Sequence, residues 1–448
     1  MSNFDKFGLK IPEILLPEQG TDLKAWSVIA CDQYTQDRDY WTNAEKTARG
    51  KPSTLNIILP EVYLSDPDKQ DRIKNIRSTM QKYLSEGVFA APCPQMIYIE
   101  RKTAYNRTRK GLVTAIDLES YEWKPFSKAL VRATEATIVE RIPPRMEIRR
   151  GAPIESPHIM LLVNDSEKSL VEACGNEAKK SAPLYDTDLM AEAGHISGWA
   201  VKDEGILNQL HNALEKLYTK NTTPDGSVFM FAVGDGNHSL ATAKAVWDEF
   251  KEKNGGVKDA SGKVSIPQGL ENHNARYALI EIVNIYDDGL TFEPIHRVLF
   301  NTNAKMLLNF LAEKLGGKIT ECKDSKEMEE KIGSSKADFG FVWKENNSVT
   351  YTILATEITE LAVSRLQPAL DEYLKAHNAS KEDIDYIHGS DEVFRLGSKE
   401  NTLAILLPPI AKDSFFATIA GNGPLPRKSF SMGEASEKRF YMECRKLF

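Results

Sequence analysis

The chain has 448 residues and carries 57 basic and 64 acidic side chains, a formal net charge of −7 at pH 7. Hydrophobic residues make up 41% and charged residues 27%, values typical of a globular protein with a large core, so global disorder is excluded. At roughly 150 residues per domain, the length predicts two to three domains. The acidic balance argues against nucleic acid and anionic membranes as partners, although a local basic groove would survive it.

The five cysteines are scattered, at positions 31, 93, 174, 322 and 444, and form no CxxC pair. This pattern argues against a disulfide framework or a structural zinc site and favours buried, inert thiols in a reducing compartment. No apolar run approaches the roughly 18 residues of a membrane span, and the N-terminal segment lacks the apolar region of a signal peptide. We therefore expect a cytoplasmic protein that does not act at a membrane.

Taken in chain order, strands and helices alternate. Branched and aromatic runs predict strands at Leu55–Leu59, Met96–Glu100, Leu112–Leu118, His158–Val163, Ser227–Val233, Tyr277–Tyr286, Asp338–Trp343 and Thr350–Ala355. Apolar spacing predicts helices at Ile206–Leu217 and Lys305–Leu315, the second stopped by Gly316–Gly317, while the polar Glu252–Gly269 predicts an exposed connection. The order indicates an α/β or mixed α+β fold. We expect one break near residue 300, separating 1–300 from 301–448, and a second near 165–200.

The most informative segment is Val233–Ser239 (VGDGNHS), where an apolar strand enters a two-glycine turn. The following helix places Leu240, Ala243 and Trp247 on one face, which predicts their burial. Glycines permit positive φ angles, and a helix N-terminus presents unpaired N–H groups that suit a phosphate.

Within this turn, Asp235 can hold a divalent metal or a hydroxyl, and His238 can donate to a phosphoryl oxygen. The competing interpretation is that Asp235 or Asn237 only caps the helix while His238 packs locally. The segment matches neither the Walker A pattern nor GxGxxG.

A second cluster lies in Val131–Arg150, where Glu135 stands among threonines and Arg145 follows. A carboxylate near hydroxyls and a guanidinium can act as a general base beside a phosphate clamp. The alternative is a solvent-facing charged segment followed by a helix. Further along, His296 follows a strand and a turn, and a histidine in such a place is more often a satisfied core or capping residue than a catalyst.

Together these segments resemble a widespread prokaryotic family known as a conserved domain of unknown function. The matching motifs are Ala25–Ala30 (like PYDVIS), Asn56–Glu61 (like YNVVRLELP), Arg107–Gly111 (like RTRRG), Thr134–Thr137 (like HERT), Asp235–Ser239 (like DGHHR), Pro294–Arg297 (like PTHR), Tyr386–Gly389 (like YVHG) and Pro426–Phe430 (like MPPKST). Arg145 also keeps the family spacing. The resemblance spans almost the whole chain, in order.

The loop and the glutamate motif also resemble the ParB/sulfiredoxin-like fold of free serine kinases, which phosphorylate L-serine. The resemblance implies a nucleotide-binding core of this kind, a second C-terminal α/β domain, and Mg²⁺ with ATP or ADP. It implies that Glu135 is the base, that Arg145 stabilises charge, and that Asp235 and His238 are catalytic contacts to phosphate or substrate. Asp235 would also be a Mg²⁺ ligand. The residues implied around the phosphates are Gly234, Gly236, Asn237, Ser239 and Thr137.

The sequence departs from the family pattern at Asn237, Ser239 and Thr134, which replace two histidines and an arginine. Serine cannot reproduce the bidentate phosphate contact of arginine. One possibility is that another basic residue compensates for the missing arginine, with Lys428 and Arg297 as candidates and His296 as a further accessory candidate. The other is that this branch differs in donor, acceptor or activity.

Three functions stay open at the level of the sequence. The first is a kinase acting on free serine or a similar hydroxy amino acid. The second is a non-catalytic nucleotide-binding or regulatory ParB-like module. The third is a sulfiredoxin-like redox enzyme, which would need a reactive cysteine near the loop. The oligomeric state is not encoded in any motif.

Overall fold

The computed structural model describes residues 4–156, 159–223, 225–377 and 383–448. In these residues the α-helices are α1 Leu23–Trp26, α2 Arg38–Ala48, α3 Lys69–Ser85, α4 Ile142–Arg149, α5 Val171–Ala178, α6 Glu204–Lys220, α7 Asn237–Lys253, α8 Ala304–Leu315, α9 Ser325–Ser334, α10 Ala362–Ala376, α11 Ser390–Gly397 and α12 Lys412–Asn422.

The strands of the described residues are β1 Leu9–Lys10, β2 Glu13–Ile14, β3 Val28–Ile29, β4 Cys93–Pro94, β5 Met96–Thr103, β6 Thr108–Asp117, β7 Tyr121–Glu122, β8 Val131–Ala133, β9 Ile154–Glu155, β10 Met160–Val163, β11 Tyr185–Asp188, β12 Gly194–Val201, β13 Phe231–Asp235, β14 Tyr277–Asn284, β15 Phe292–Pro294, β16 His296–Phe300, β17 Lys318–Cys322, β18 Phe339–Glu345, β19 Ser348–Ala355, β20 Ile384–Ile387, β21 Thr402–Leu406, β22 Phe430–Met432, β23 Phe440–Tyr441 and β24 Arg445–Lys446.

The protein therefore has a mixed α/β fold, and its chain divides into two compact units. Unit 1 comprises the described residues of Met1–Ala133, Thr137–Leu290 and Glu434–Phe448. Unit 2 comprises the described residues of Thr134–Ala136 and Thr291–Gly433. The chain thus enters unit 2 for three residues in the middle of unit 1, and its last residues return to unit 1.

Unit 1 is built on a mixed sheet with the order β11-β12-β5-β6-β14-β10-β13-β8-β7, to which β1 adds beside β6. The candidate loop follows β13, which runs parallel to β8 in this sheet, with Ala133 opposite Val233. Leu240, Ala243 and Trp247 of α7 are buried in the core of this unit, as the apolar spacing predicts.

Unit 2 contains a six-stranded sheet with the order β17-β19-β18-β21-β16-β20, and β15 pairs separately with β22. Two of the recognised motifs become neighbours here, because Arg297 on β16 lies opposite Tyr386 on β20. Arg297 also packs over the Tyr386 ring, 4.8 Å from its centroid. The PIHR and YIHG motifs, which are far apart in sequence, therefore contact each other in the folded chain.

Most of the predicted elements are confirmed. The helices at 206–217 and 305–315 are α6 and α8, and Gly316 adopts the left-handed conformation that ends α8. The strands at 96–100, 112–118, 277–286, 338–343 and 350–355 correspond to β5, β6, β14, β18 and β19. The strand predicted at 227–233 begins only at Phe231. The strand predicted at 158–163 is β10, Met160–Val163, and residue 158 lies outside the described residues.

The strand predicted at Leu55–Leu59 is wrong, because a 3₁₀ turn covers Thr54–Ile57. The cause lies just before it. The Ser53 hydroxyl accepts a hydrogen bond from the Leu55 N–H at 3.2 Å, and the Thr54 hydroxyl donates to the carbonyl of Trp26 at 2.7 Å. Such side-chain bonds to the backbone compete with the hydrogen bonds of a strand.

The C-terminal segment of unit 1 is held by buried ion pairs. Arg439 lies between the carboxylates of Glu281 and Glu443, at 2.5 Å from each. Burial alone would raise the pKa of Glu281, but Arg109 and Arg439 outweigh it and hold that pKa below its ordinary value. Gly111 leaves room for this network, since a Cβ atom there would collide with the Glu281 carboxylate.

We expect Arg439→Ala to destabilise unit 1 by roughly 3–5 kcal/mol, because it leaves two buried carboxylates short of a counter-charge. The exposed pair of Lys180 and Glu177 provides the control, and Lys180→Ala should cost less than about 1 kcal/mol. Urea unfolding followed by tryptophan fluorescence measures both, because five of the six tryptophans belong to unit 1. Equal losses in the two variants would contradict the role given to Arg439.

Candidate functional site

The candidate loop of unit 1 is a tight turn between a strand and a helix. β13 ends at Asp235, Gly236 has φ of 79°, and α7 begins at Asn237. A Cβ atom at Gly236 would lie 3.0 Å from the Cα of Ile159, so both the φ angle and the close approach favour glycine. Because glycine occupies the N-cap position, that position has no side chain to accept from the first-turn N–H groups.

Asp235 does not act as the N-cap. One of its carboxylate oxygens, Oδ1, accepts a hydrogen bond from the N–H of Gly236 at 2.9 Å. The other oxygen lies 3.3 Å from Nζ of Lys438, which the returning C-terminal segment supplies. The loop, which lacks the family arginine at Ser239, therefore has a lysine beside it. Sequence reasoning missed Lys438 because no local pattern around that residue indicates its proximity to the turn.

His238 is half-buried and neutral at physiological pH. Burial lowers its pKa to about 4, and the positive charges of Arg145 and Arg141 contribute to that shift. Its Nε2 accepts a hydrogen bond from the N–H of Ile138 at 3.3 Å. The neutral ring therefore carries its proton on Nδ1, which is the only ring atom left to donate to a ligand.

Thr137 and Arg145 belong to the same unit as this loop. The Thr137 hydroxyl is buried and has no hydrogen-bond partner within the described part of the chain. Arg145, on α4, forms an ion pair with Glu61, and its other terminal nitrogen donates to the carbonyl of Arg141 at 2.6 Å. Glu61 is the last residue of the NIILPE motif and Arg145 keeps the family spacing, so both members of this ion pair carry the family resemblance, although their spacing in sequence does not predict the pairing.

A cavity of about 150 Å³ lies beside the first turns of α7, whose residues Ser239 and Thr242 contribute to its lining. Glu61 and Arg145 line it as well, together with Cys31. Burial raises the pKa of the Cys31 thiol to about 12, so the reactive thiolate is scarce at neutral pH. This environment argues against the redox alternative.

The remaining predicted residues lie in unit 2, where they form a second cluster around Glu135. The N–H of Ser429 approaches a carboxylate oxygen of Glu135 at 3.4 Å, and the N–H of Leu425 donates to the carbonyl of Thr134 at 2.7 Å. Arg297 is buried, and Glu135 is among the groups that stabilise its charge. The TEAT, PIHR and PRKSF motifs, distant in sequence, are therefore brought together.

The other two accessory candidates have different surroundings. His296 is buried, and its Nδ1 accepts a hydrogen bond from the N–H of Leu407 at 3.0 Å. Burial lowers the pKa of His296 to about 4, with Arg297 and His388 adding to the shift. Lys428 is exposed.

Among the described residues, none of the helices combines the length and the apolar composition of a membrane span. Nor does that part of the chain bring three or more histidine, cysteine or acidic side chains into a cluster that could hold a metal ion. Asp235, which the sequence suggests as a metal ligand, is a single carboxylate, and Mg²⁺ is often held by one or two carboxylates together with substrate phosphates.

These features define a mixed α/β protein with a glycine turn at a helix N-terminus beside a small cavity. The chain belongs to the family described as "Protein of unknown function (DUF1015)", whose model matches residues 15–373. A search of the curated proteins gives no match.

Several solved structures are similar to this chain. A mutant free serine kinase in complex with AMP has 11% identity and a TM-score of 0.37, covering 74% of this chain and 90% of that one. A mutant of that kinase in complex with ADP has 10% identity and a TM-score of 0.37, covering 74% and 91%. A conserved hypothetical protein from Pyrococcus furiosus has 10% identity and a TM-score of 0.34, covering 75% and 94%.

The lowered pKa of His238 predicts a specific pH dependence of stability. On acidification the unfolded chain binds a proton at this histidine near its ordinary pKa of 6.5, whereas the folded chain does so only near 4. The contribution of His238 to stability is therefore complete above about pH 6.5 and is lost as the pH falls towards 4.

We expect wild type to lose more stability between pH 7 and pH 4.5 than His238→Gln, whose side-chain oxygen can still accept from Ile138. Urea unfolding at a series of pH values gives the free energy of unfolding of each protein. Parallel curves for the two proteins would show that His238 titrates alike in the folded and unfolded states, contrary to this prediction.

Proposed function

We propose that this protein binds ATP or ADP and transfers the terminal phosphoryl group to the hydroxyl of a small molecule, free L-serine or a similar hydroxy amino acid. The observation that carries the proposal is the turn Gly234–Ser239, where a helix N-terminus and Lys438 meet. The resemblance of the loop and the glutamate motif to those of free serine kinases supports the same activity.

The phosphates of the nucleotide would bind at the start of α7. The first N–H groups of a helix have no partner within the helix, and the helix dipole places partial positive charge there. Lys438, which pairs with Asp235, would supply a positive charge in place of the arginine of the family loop, although as a point charge and without a bidentate fork. Asn237 and Ser239 would contribute backbone N–H groups.

Bound with the nucleotide, Mg²⁺ would neutralise phosphate charge, with Asp235 as its ligand from the chain. His238 would donate from Nδ1 to a phosphoryl oxygen while its Nε2 stays bonded to Ile138. Thr137 would offer its hydroxyl on the phosphate side. Arg145 would act through its charge, which Glu61 partly balances.

Glu135 would be the general base of the reaction. As the acceptor hydroxyl forms its bond to the terminal phosphorus, its proton passes to the Glu135 carboxylate, and the bond between that phosphorus and the bridging oxygen breaks. ATP then leaves as ADP, or ADP as AMP. The N–H of Ser429 and the charge of Arg297 would fix the orientation of the carboxylate before the acceptor binds.

The second candidate is a non-catalytic nucleotide-binding module. Ser239 favours it, because without the bidentate arginine of the family loop the charge that develops during phosphoryl transfer is less well stabilised, whereas the helix N-terminus can still bind phosphates. Such a module would be stabilised by Mg-ADP or Mg-ATP against heating but would form no phosphorylated product.

We expect purified protein with Mg-ATP or Mg-ADP and a panel of amino acids to form phosphoserine or a related product, detected by mass spectrometry. Glu135→Gln should lower the rate by about 10²-fold or more, the usual contribution of a general base, and leave nucleotide affinity unchanged. Glu140→Gln, an exposed acid in the same segment, is the matched control and should retain the wild-type rate.

Full activity in Glu135→Gln would show that another group takes the proton. Nucleotide binding without any product in wild type would favour the non-catalytic module.

A further inference from the structure

The cavity beside α7 has an apolar interior. Ile57, Leu59, Ile154 and Ile159 line it, and each is at most 4% exposed. An apolar cavity of about 150 Å³ can hold a ligand the size of benzene. The interior therefore suits a hydrocarbon group of a few carbon atoms and suits neither a sugar nor a nucleobase edge that needs several hydrogen bonds.

The charged part of the lining is balanced. The side chains of Arg145 and Glu61 pair with each other and are 15% and 17% exposed. A second lining pair joins Arg149 to Glu155 at 2.5 Å. The positive charges of the two arginines balance the negative charges of the two glutamates, so the lining has no net charge.

This balance selects among ligands. A carboxylate or an ammonium ion alone would leave one member of the Arg145–Glu61 pair without a counter-charge, which is costly for a partly buried group. A zwitterion satisfies both members, with its carboxylate on Arg145 and its ammonium on Glu61.

We propose that the cavity is a binding site for a short aliphatic α-amino acid of about the size of valine. Its side chain fills the interior formed by Ile57, Ile154 and Ile159, and its two charged groups bind Arg145 and Glu61. An aliphatic side chain has no hydroxyl to accept a phosphoryl group, so this ligand is not the substrate of the proposed transfer. The site therefore stands whether or not the protein is a kinase.

Isothermal titration without nucleotide tests the proposal on the wild-type protein. Valine should bind, whereas 3-methylbutanoate and isobutylamine, which keep the same carbon branch but only one charge each, should bind at least tenfold more weakly. Each carbon removed from valine, through 2-aminobutyrate to alanine, should weaken binding by about fourfold.

Filling the cavity tests the location of the site. Ile148→Phe places a larger side chain in the lining and should weaken valine binding by tenfold or more. Ile206→Phe, at a half-buried position on α6 outside the lining, is the matched control and should bind valine as wild type does.

The proposal is overturned by any of four results: no valine binding, equal binding of the singly charged analogues, unchanged binding in Ile148→Phe, or tighter binding of threonine than of valine. The last result would instead identify the cavity as a hydroxy-amino-acid site. None of them depends on phosphoryl transfer, so failure here is distinguishable from failure of the proposed function.

Discussion

The ion pairs of Arg439 are the constraint on which the candidate site of unit 1 depends. This arginine binds Glu281 on the central β14 and Glu443 on its own segment, and all three side chains are buried. Because Lys438 is the residue immediately before Arg439, anchoring Arg439 also fixes Lys438 beside Asp235. The positive charge at the loop is thus a consequence of how the C-terminal segment is held.

The neighbouring ion pairs extend the same arrangement to the cavity. Arg445, later in the segment, pairs with Glu155, and Glu155 also binds Arg149 of α4. The same helix carries Arg145, which pairs with Glu61. One set of buried or half-buried charges therefore positions both the lining of the cavity and the cation at the turn, and a change in the C-terminal segment is expected to affect both.

Local sequence patterns predict the loop well and its surroundings poorly. The strand, the glycine turn and the buried face of α7 are local features, and Leu240, Ala243 and Trp247 lie where the helical period places them. Lys438 reaches the turn only because the chain returns to unit 1 after unit 2, and no sequence signal indicates that return. Long-range ion pairs have no periodicity from which they could be inferred.

The contacts among the motifs around Glu135 are likewise long-range and could not be predicted from local sequence patterns. The order of these motifs along the chain supported the family resemblance, but their chemistry could not be inferred from spacing, since Glu135, Arg297 and Ser429 lie far apart in sequence. The wrong prediction of a strand at 55–59 has a different cause. The hydroxyl groups of Ser53 and Thr54 form hydrogen bonds with the backbone, and these bonds override the β-propensity of the following residues.

The central claim is that phosphates bind at the first turn of α7, and hydrogen exchange tests it most directly. The N–H groups of Asn237, His238 and Ser239 lie at the start of α7, ahead of Leu240, whose own N–H bonds to the carbonyl of Gly236. Mg-ADP should slow exchange in peptides that cover 234–240 and leave peptides covering 305–315 unchanged. Slowed exchange elsewhere with none at 234–240 would contradict the claim.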